Sequence, residues 1–147
     1  MERMKISGNY DLKLYDEFGR LKDERNTPNL ITTAGFDGII QKGYATQTGS
    51  NSWNFIAVGS GTAAAAAANT TLGSEAARAQ GTYAHTDGQA NFSVANTFAA
   101  GTATGSITEA GLFNSGVAGQ LFSRQVFAVI NKGAADTLAV TWVGSLS

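Results

Sequence analysis

The chain has 147 residues, ten Lys and Arg against eleven Asp and Glu, and no cysteine. That length suits one domain with a real core, while the missing cysteines exclude a disulfide framework, a thiolate metal site and a cysteine nucleophile. A net charge of −1 argues against a nucleic-acid-binding face.

No stretch reads as a signal-peptide core or reaches about 18 apolar residues, which predicts a soluble chain made in a cytoplasm. Charge is unevenly spread. Six basic and six acidic side chains fall within residues 1–26, leaving four and five for the rest. A typical domain is about 25% charged, so the surface after residue 26 must be built from Ser, Thr, Asn, Gln and Gly. Such a surface suits a body that meets other protein.

In chain order, "NYDLKLYDEFGRLKDERN" alternates Tyr10, Leu12 and Leu14 against Asp11, Lys13 and Tyr15, turns at Gly19 and returns as a polar strand. This predicts an N-terminal charged hairpin or arm over residues 1–28, ahead of a body spanning 29–147. After Pro28 the period changes. Ile31, Gly35, Ile39 and Tyr44, with Phe36 and Ile40, fit a short helix capped near Thr32 or Thr33, weakened by three internal glycines. Beyond residue 53 the signals are β. "WNFIAVG" reads as a buried strand, and "ANFSVANTFAA" puts Phe92, Val94 and Phe98 on one face with Asn96 interrupting it. "GSITEAGLFNS" and "QLFSRQVFAVINKG" follow, and "DTLAVTWVGSLS" sets Leu138, Val140 and Trp142 against Ala139, Thr141 and Val143. Turn clusters separate them. The expected fold is mainly β, an antiparallel sandwich with an N-terminal hairpin and one short helix.

"AVGSGTAAAAAANTTLGSEAAR", residues 57–78, resembles a dinucleotide fingerprint, because a strand enters a glycine turn with a small residue at Ala64. A nucleotide site also needs a helix facing the pyrophosphate and a second parallel strand. No βαβ pattern follows, so the segment reads as a small-residue loop packed on a neighbour. His85 is the sole histidine, in the turn-like "YAHTDGQ", and no serine lies in a G-x-S-x-G elbow. The acidic residues of the hairpin interleave with lysines and arginines, which reads as a mixed-charge surface rather than a metal site. No catalytic residue, cofactor or metal is expected. The sequon matches at Asn69 and Asn91 read as chance.

One constellation stands out. Glu75, Arg78, Glu109 and Arg124 are four of the nine charges after residue 26, and Glu109 and Arg124 sit inside apolar strands. Buried charges are costly unless paired. Glu109 is therefore expected to pair with Arg78 or Arg124, tying the alanine segment to the sheet; the alternative turns these side chains outward to solvent.

"NLITTAGFDGI", "FIAVGSGTAAAAAANTTLGSEAAR", "ITEAGLFNS", "GQLFSRQVF" and "DTLAVTW" together resemble a pattern of tailed-bacteriophage virion structural proteins, over roughly residues 29–143. In that pattern "lGtGtt…dt.L..E..R" precedes strands ending in "i.EaGLf" and "l.aR..f", and the chain closes on "l.v.W". Alanines stand here where Pro, Ser or Asp is expected. The resemblance implies a non-enzymatic structural protein of the virion, assembled in the host cytoplasm, with no small-molecule substrate, nucleic acid or membrane as partner. With no fibrous repeat or heptads in the chain, a capsid decoration (cement) protein on the major capsid protein, as a homotrimer, comes first. A tail-fibre or tail-adaptor component with a collar-fibre-like β domain is the alternative. On this reading the hairpin charges Asp11, Lys13, Arg20, Lys22 and Arg25 contact the capsid or a neighbour, and removing residues 1–26 leaves a folded body.

Overall fold

Alternation in the first strand sets the pattern for half of the molecule. β1 (Ile6–Tyr15) buries Tyr10, Leu12 and Leu14 and turns Asp11 and Lys13 toward solvent. The computed structural model describes residues 4–44 and 52–147; expectations for Glu2, Arg3 and the side chain of Tyr44 fall outside it. At the turn, Asp16 Oδ1 accepts the amide hydrogens of Phe18 and Arg20, and Gly19 takes a left-handed φ of 80°. β2 (Leu21–Pro28) then returns against β1.

The remaining elements are β3 (Leu30–Ile31), α1 (Thr33–Tyr44), β4 (Phe55–Gly59), β5 (Glu75–Gln80), β6 (Thr82–His85), β7 (Asn91–Phe98), β8 (Gly105–Phe113), β9 (Leu121–Lys132) and β10 (Thr137–Leu146). They form two five-stranded antiparallel sheets. The first has the order β2-β1-β10-β7-β6 and the second β3-β9-β8-β4-β5. The chain is mainly β with one short helix, as its alternation predicts. β5 and β6 are separated only by Gly81, where the strand leaves one sheet and joins the other.

Between the sheets lie Tyr10, Leu12, Leu14, Val94, Phe98, Leu138, Val140 and Trp142 from one side, and Ile56, Val58, Ile107, Leu112, Phe122 and Ile130 from the other. Trp142 meets the ring of Phe122 edge-on, with centroids 5.4 Å apart. Tyr10 makes a polar tie across this core, its hydroxyl lying 2.7 Å from Ser123 Oγ. Burial pushes the Tyr10 phenol up, and the Ser123 hydrogen bond opposes the shift in part.

α1 begins where the sequence places its cap. The Thr32 hydroxyl accepts the Gly35 amide hydrogen and donates to the carbonyl of Leu121, so one side chain caps the helix and fixes it to β9. Gly35 reads as a helix-weakening residue in sequence, but a Cβ there would strike the carbonyl of Phe122. The glycine allows close helix–strand approach.

β1 and β2 form the expected hairpin, and that hairpin is built into a sheet. β1 lies inside its sheet, paired with β2 on one side and with β10 over ten residue pairs on the other, from Ile6↔Leu146 to Tyr15↔Thr137. The physical reason is the buried face of Tyr10, Leu12 and Leu14, which supplies part of the core between the sheets. The hairpin and the body are one folding unit.

Two of the hairpin charges are also committed internally. Between the pairs Ile107↔Ile130 and Glu109↔Val126, one residue of β8 faces three of β9, a bulge that frees carbonyls from the ladder. Arg25 Nε donates to Ala128 O at 3.0 Å and its Nη2 to Val129 O at 2.8 Å. Lys22 donates to Asp136 at 2.7 Å. Lys22 and Arg25 thus fasten the sandwich from the hairpin. Asp11 and Lys13 lie 3.8 Å apart on the outer face, and Arg20 pairs with Asp16 at the hairpin tip.

Candidate functional site

The alternation of β8 slips at the bulge, so Ile107 and Ala110 both face the core while Glu109 turns to the outer face of its sheet. That outer face carries a second apolar cluster of Ala57, Leu72, Phe113 and Leu121, with Phe55 packed against it. The segment from Ser60 to Ser74 lies across it. Leu72 is the segment's buried anchor, and most of its alanines are exposed.

Glu109 is fully buried beneath this segment. Its Oε1 accepts the amide hydrogens of Gly61 at 2.8 Å and Ser74 at 2.7 Å. Its Oε2 accepts Gly73 N–H and Arg124 Nε, both at 2.9 Å. Arg124, 3% exposed at its side chain, reaches on into the loop. Its Nη2 donates to Ala63 O at 2.9 Å and its Nη1 to Asn69 Oδ1 at 3.0 Å. Asn69 in turn accepts the Ala66 amide hydrogen, while Ala67 O accepts the amide hydrogen of Thr33 at the start of α1. One carboxylate–guanidinium pair thus organises both ends and the middle of the alanine loop.

Gly61 explains the glycine turn. A Cβ at this position would lie 2.7 Å from Glu109 Cδ, so only glycine lets the backbone reach the carboxylate. Of the amide hydrogens that make "GSGT" resemble a phosphate cradle, that of Gly61 is spent on Glu109, an internal anion, and that of Ser60 on the carbonyl of Ser74. No helix follows, and residues 62–74 run as turns and irregular backbone.

Of the two arginines open as partners, Arg124 makes the pair. Arg78 stands apart, bonded to Glu75 Oε1 at 2.7 Å and to the carbonyls of Ser115 at 2.9 Å and Ala118 at 2.7 Å. Its guanidinium lies 3.5 Å over the Phe113 ring. It clamps β5 to the turn after β8. His85 is exposed on β6, its Nδ1 2.8 Å from the carbonyl of Asn91. Sequence reasoning missed the backbone donors of Gly73 and Ser74 and the part of Asn69; the glycines bracketing the loop were the available signal. It also missed a second buried centre. Lys132, 2% exposed, donates to Ala99 O, and Asp136 accepts from Lys22 and from Gly133 N–H. Burial lowers the Lys132 ammonium, opposed by nearby Asp136.

Compared with known proteins, the chain matches no family model, no curated protein and no solved structure. What the centre can do is therefore read from its chemistry. Glu109 has four donors on two oxygens, which leaves no position for a proton acceptor role or a metal bond. It is a latch.

Burial alone would raise the Glu109 carboxyl, but the Ser74 and Gly73 amides, Arg124 and the Gly61 amide outweigh it and hold it below the usual glutamate range. A carboxyl lowered by folding adds stability above its unfolded value, about 4.3 for Glu, and that stability is lost as pH falls through the folded value. The urea midpoint is expected to be flat from neutral pH down to the ordinary glutamate range and to fall below it. Asp16, Asp23 and Asp136 are lowered too and contribute in the same direction. Glu109→Gln, with no carboxyl to protonate, is expected to show a smaller acid loss than the parent; an identical loss would remove Glu109 from the account.

Proposed function

We propose that the protein is a non-catalytic structural component of a tailed-bacteriophage virion, in first place a decoration protein that binds the major capsid protein on the outside of the head as a homotrimer. One observation supports this reading above the rest: the residues that carry the resemblance are building material. Gly61, Glu109 and Arg124 form the latch, and Glu75 and Arg78 form the clamp on Phe113. Leu72, Leu112, Phe113, Leu121, Leu138, Val140 and Trp142 fill the two apolar clusters. A pattern that specifies a stiff sandwich and a fixed loop fits a protein whose task is to present a surface. The charge-poor surface after residue 26 fits docking to other protein. Asp11, Lys13 and Arg20 are the proposed hairpin contacts with the capsid or a neighbour; rim charges of this kind set register more than affinity.

Immunogold electron microscopy of purified virions, with antibody raised against the isolated protein, tests the proposal. Label distributed over heads is the expected result. Label confined to tails replaces it with the collar-fibre alternative, and virions that carry no label overturn both.

A further inference from the structure

Where β5 passes into β6, at one end of the sandwich, Trp53, Tyr83 and Phe92 line an open pocket of about 410 Å³ together with Ser52 and Asn54. The rings are held from behind. Phe92 packs on Trp142 at 5.3 Å and Trp53 on Phe122 at 5.1 Å, and those two partners touch each other in the core. Tyr83 leans on Phe92 at 6.0 Å and is 59% exposed. The pocket walls are thus the outer members of an aromatic array rooted in the hydrophobic core, and their faces are fixed before any ligand arrives. A second hollow of about 330 Å³ shares Ser52 and Asn54 and adds Gln80. Among the described residues that line the two hollows, none carries a charged side chain. Asn54 and Gln80 are both among the residues lining the second hollow, which puts two side-chain amides beside the groove.

We propose that this groove binds a neutral oligosaccharide. A pyranose has an apolar C–H face that lies flat on an aromatic ring, and hydroxyls around its rim that both donate and accept. Rigid rings supply contact area at little entropic cost. Each side-chain amide offers a donor and an acceptor in one plane, the match for a sugar hydroxyl pair. A proline-rich peptide would also lie on such rings, but it presents chiefly acceptors and would leave the amide oxygens of Asn54 and Gln80 unpaired. An anionic ligand would find no cation among the described residues that line either hollow. The proposal stands on the groove alone and holds for a head or a tail location.

The test is a titration of ¹⁵N-labelled full-length protein with maltohexaose, cellohexaose, mannohexaose and N-acetylchitohexaose, each to ~20 mM, as suits a millimolar site. The signals read are the Trp53 indole and the Asn54 and Gln80 side-chain amides. The expected result is saturable shifts with at least one of the four sugars. Tyr83→Ala is then expected to weaken binding about tenfold, one ring contact's worth, with the rest of the spectrum unchanged because Tyr83 is exposed. Asn54→Ala provides a second, independent loss. Absence of saturable shifts with all four sugars overturns the proposal, as do shifts unaffected by both substitutions. A response to a proline decamer in place of the sugars assigns the groove to peptide instead.

Discussion

A chain lacking residues 1–26 is expected not to fold. The deletion removes β1 and nearly all of β2, and with them Tyr10, Leu12 and Leu14 from the core. Burying one large apolar side chain contributes about 1.5–3 kcal/mol, and β10 would lose its whole ten-pair partner as well. A domain of this size has a net stability of only about 5–15 kcal/mol, so the three side chains alone consume most of it. Arg25 and Lys22 would also be lost, leaving the β9 bulge carbonyls without their donor and Asp136 without its lysine. Circular dichroism and thermal melting are the measurements, with no cooperative transition as the expected outcome. A truncated protein that melts cooperatively would show that the hairpin is separable after all.

Glu109→Ala is expected to destabilise the protein by about 3–5 kcal/mol, because it strands Arg124 in a dry site. The same substitution leaves the amide hydrogens of Gly61, Gly73 and Ser74 without an acceptor. Arg124→Ala is expected to cost a similar amount, since it also cuts the loop from Ala63 and Asn69. Glu75→Ala, whose side chain is 34% exposed, is expected to cost about 1 kcal/mol or less. Arg78→Ala falls between, for it loses two carbonyl bonds and a ring contact but no buried ion partner. Urea unfolding of the four variants reads the order directly. Equal small losses at all four positions would mean that the latch contributes nothing to stability.

The strands legible in the sequence were those with one buried face. Tyr10, Leu12 and Leu14, and again Leu138, Val140 and Trp142, alternate with polar or small residues because only one side of their sheet is covered. The buried charge of Glu109 was legible because the body has so few charges that a carboxylate inside "SITEAGLF" demands a partner. What stayed hidden depended on tertiary context. "EAARAQ" is composed of helix formers, yet it is strand β5, because pairing with β4 on one edge overrides local propensity. The hairpin itself is legible from its alternation, but no local pattern shows that β10 fills its other side. The choice of Arg124 over Arg78 rests on the β8–β9 register, which sets Arg124 opposite Gly111, two residues from Glu109. Local periodicity does not carry register.

The pairing of β1 with β10 has a consequence for how the molecule assembles in time. β1 finds its central partner in β10, so the sheet that holds both cannot close until the intervening elements have been made. Proteins dominated by such non-local pairings fold in about milliseconds to seconds rather than microseconds. Until then the apolar row of Tyr10, Leu12 and Leu14 faces solvent on a hairpin with an open edge. The mixed charges beside that row (Asp11, Lys13, Asp23, Glu24) discourage strand addition by a neighbouring nascent chain. The charge density that fastens the finished sandwich through Lys22 and Arg25 is thus also a safeguard for the unfinished one.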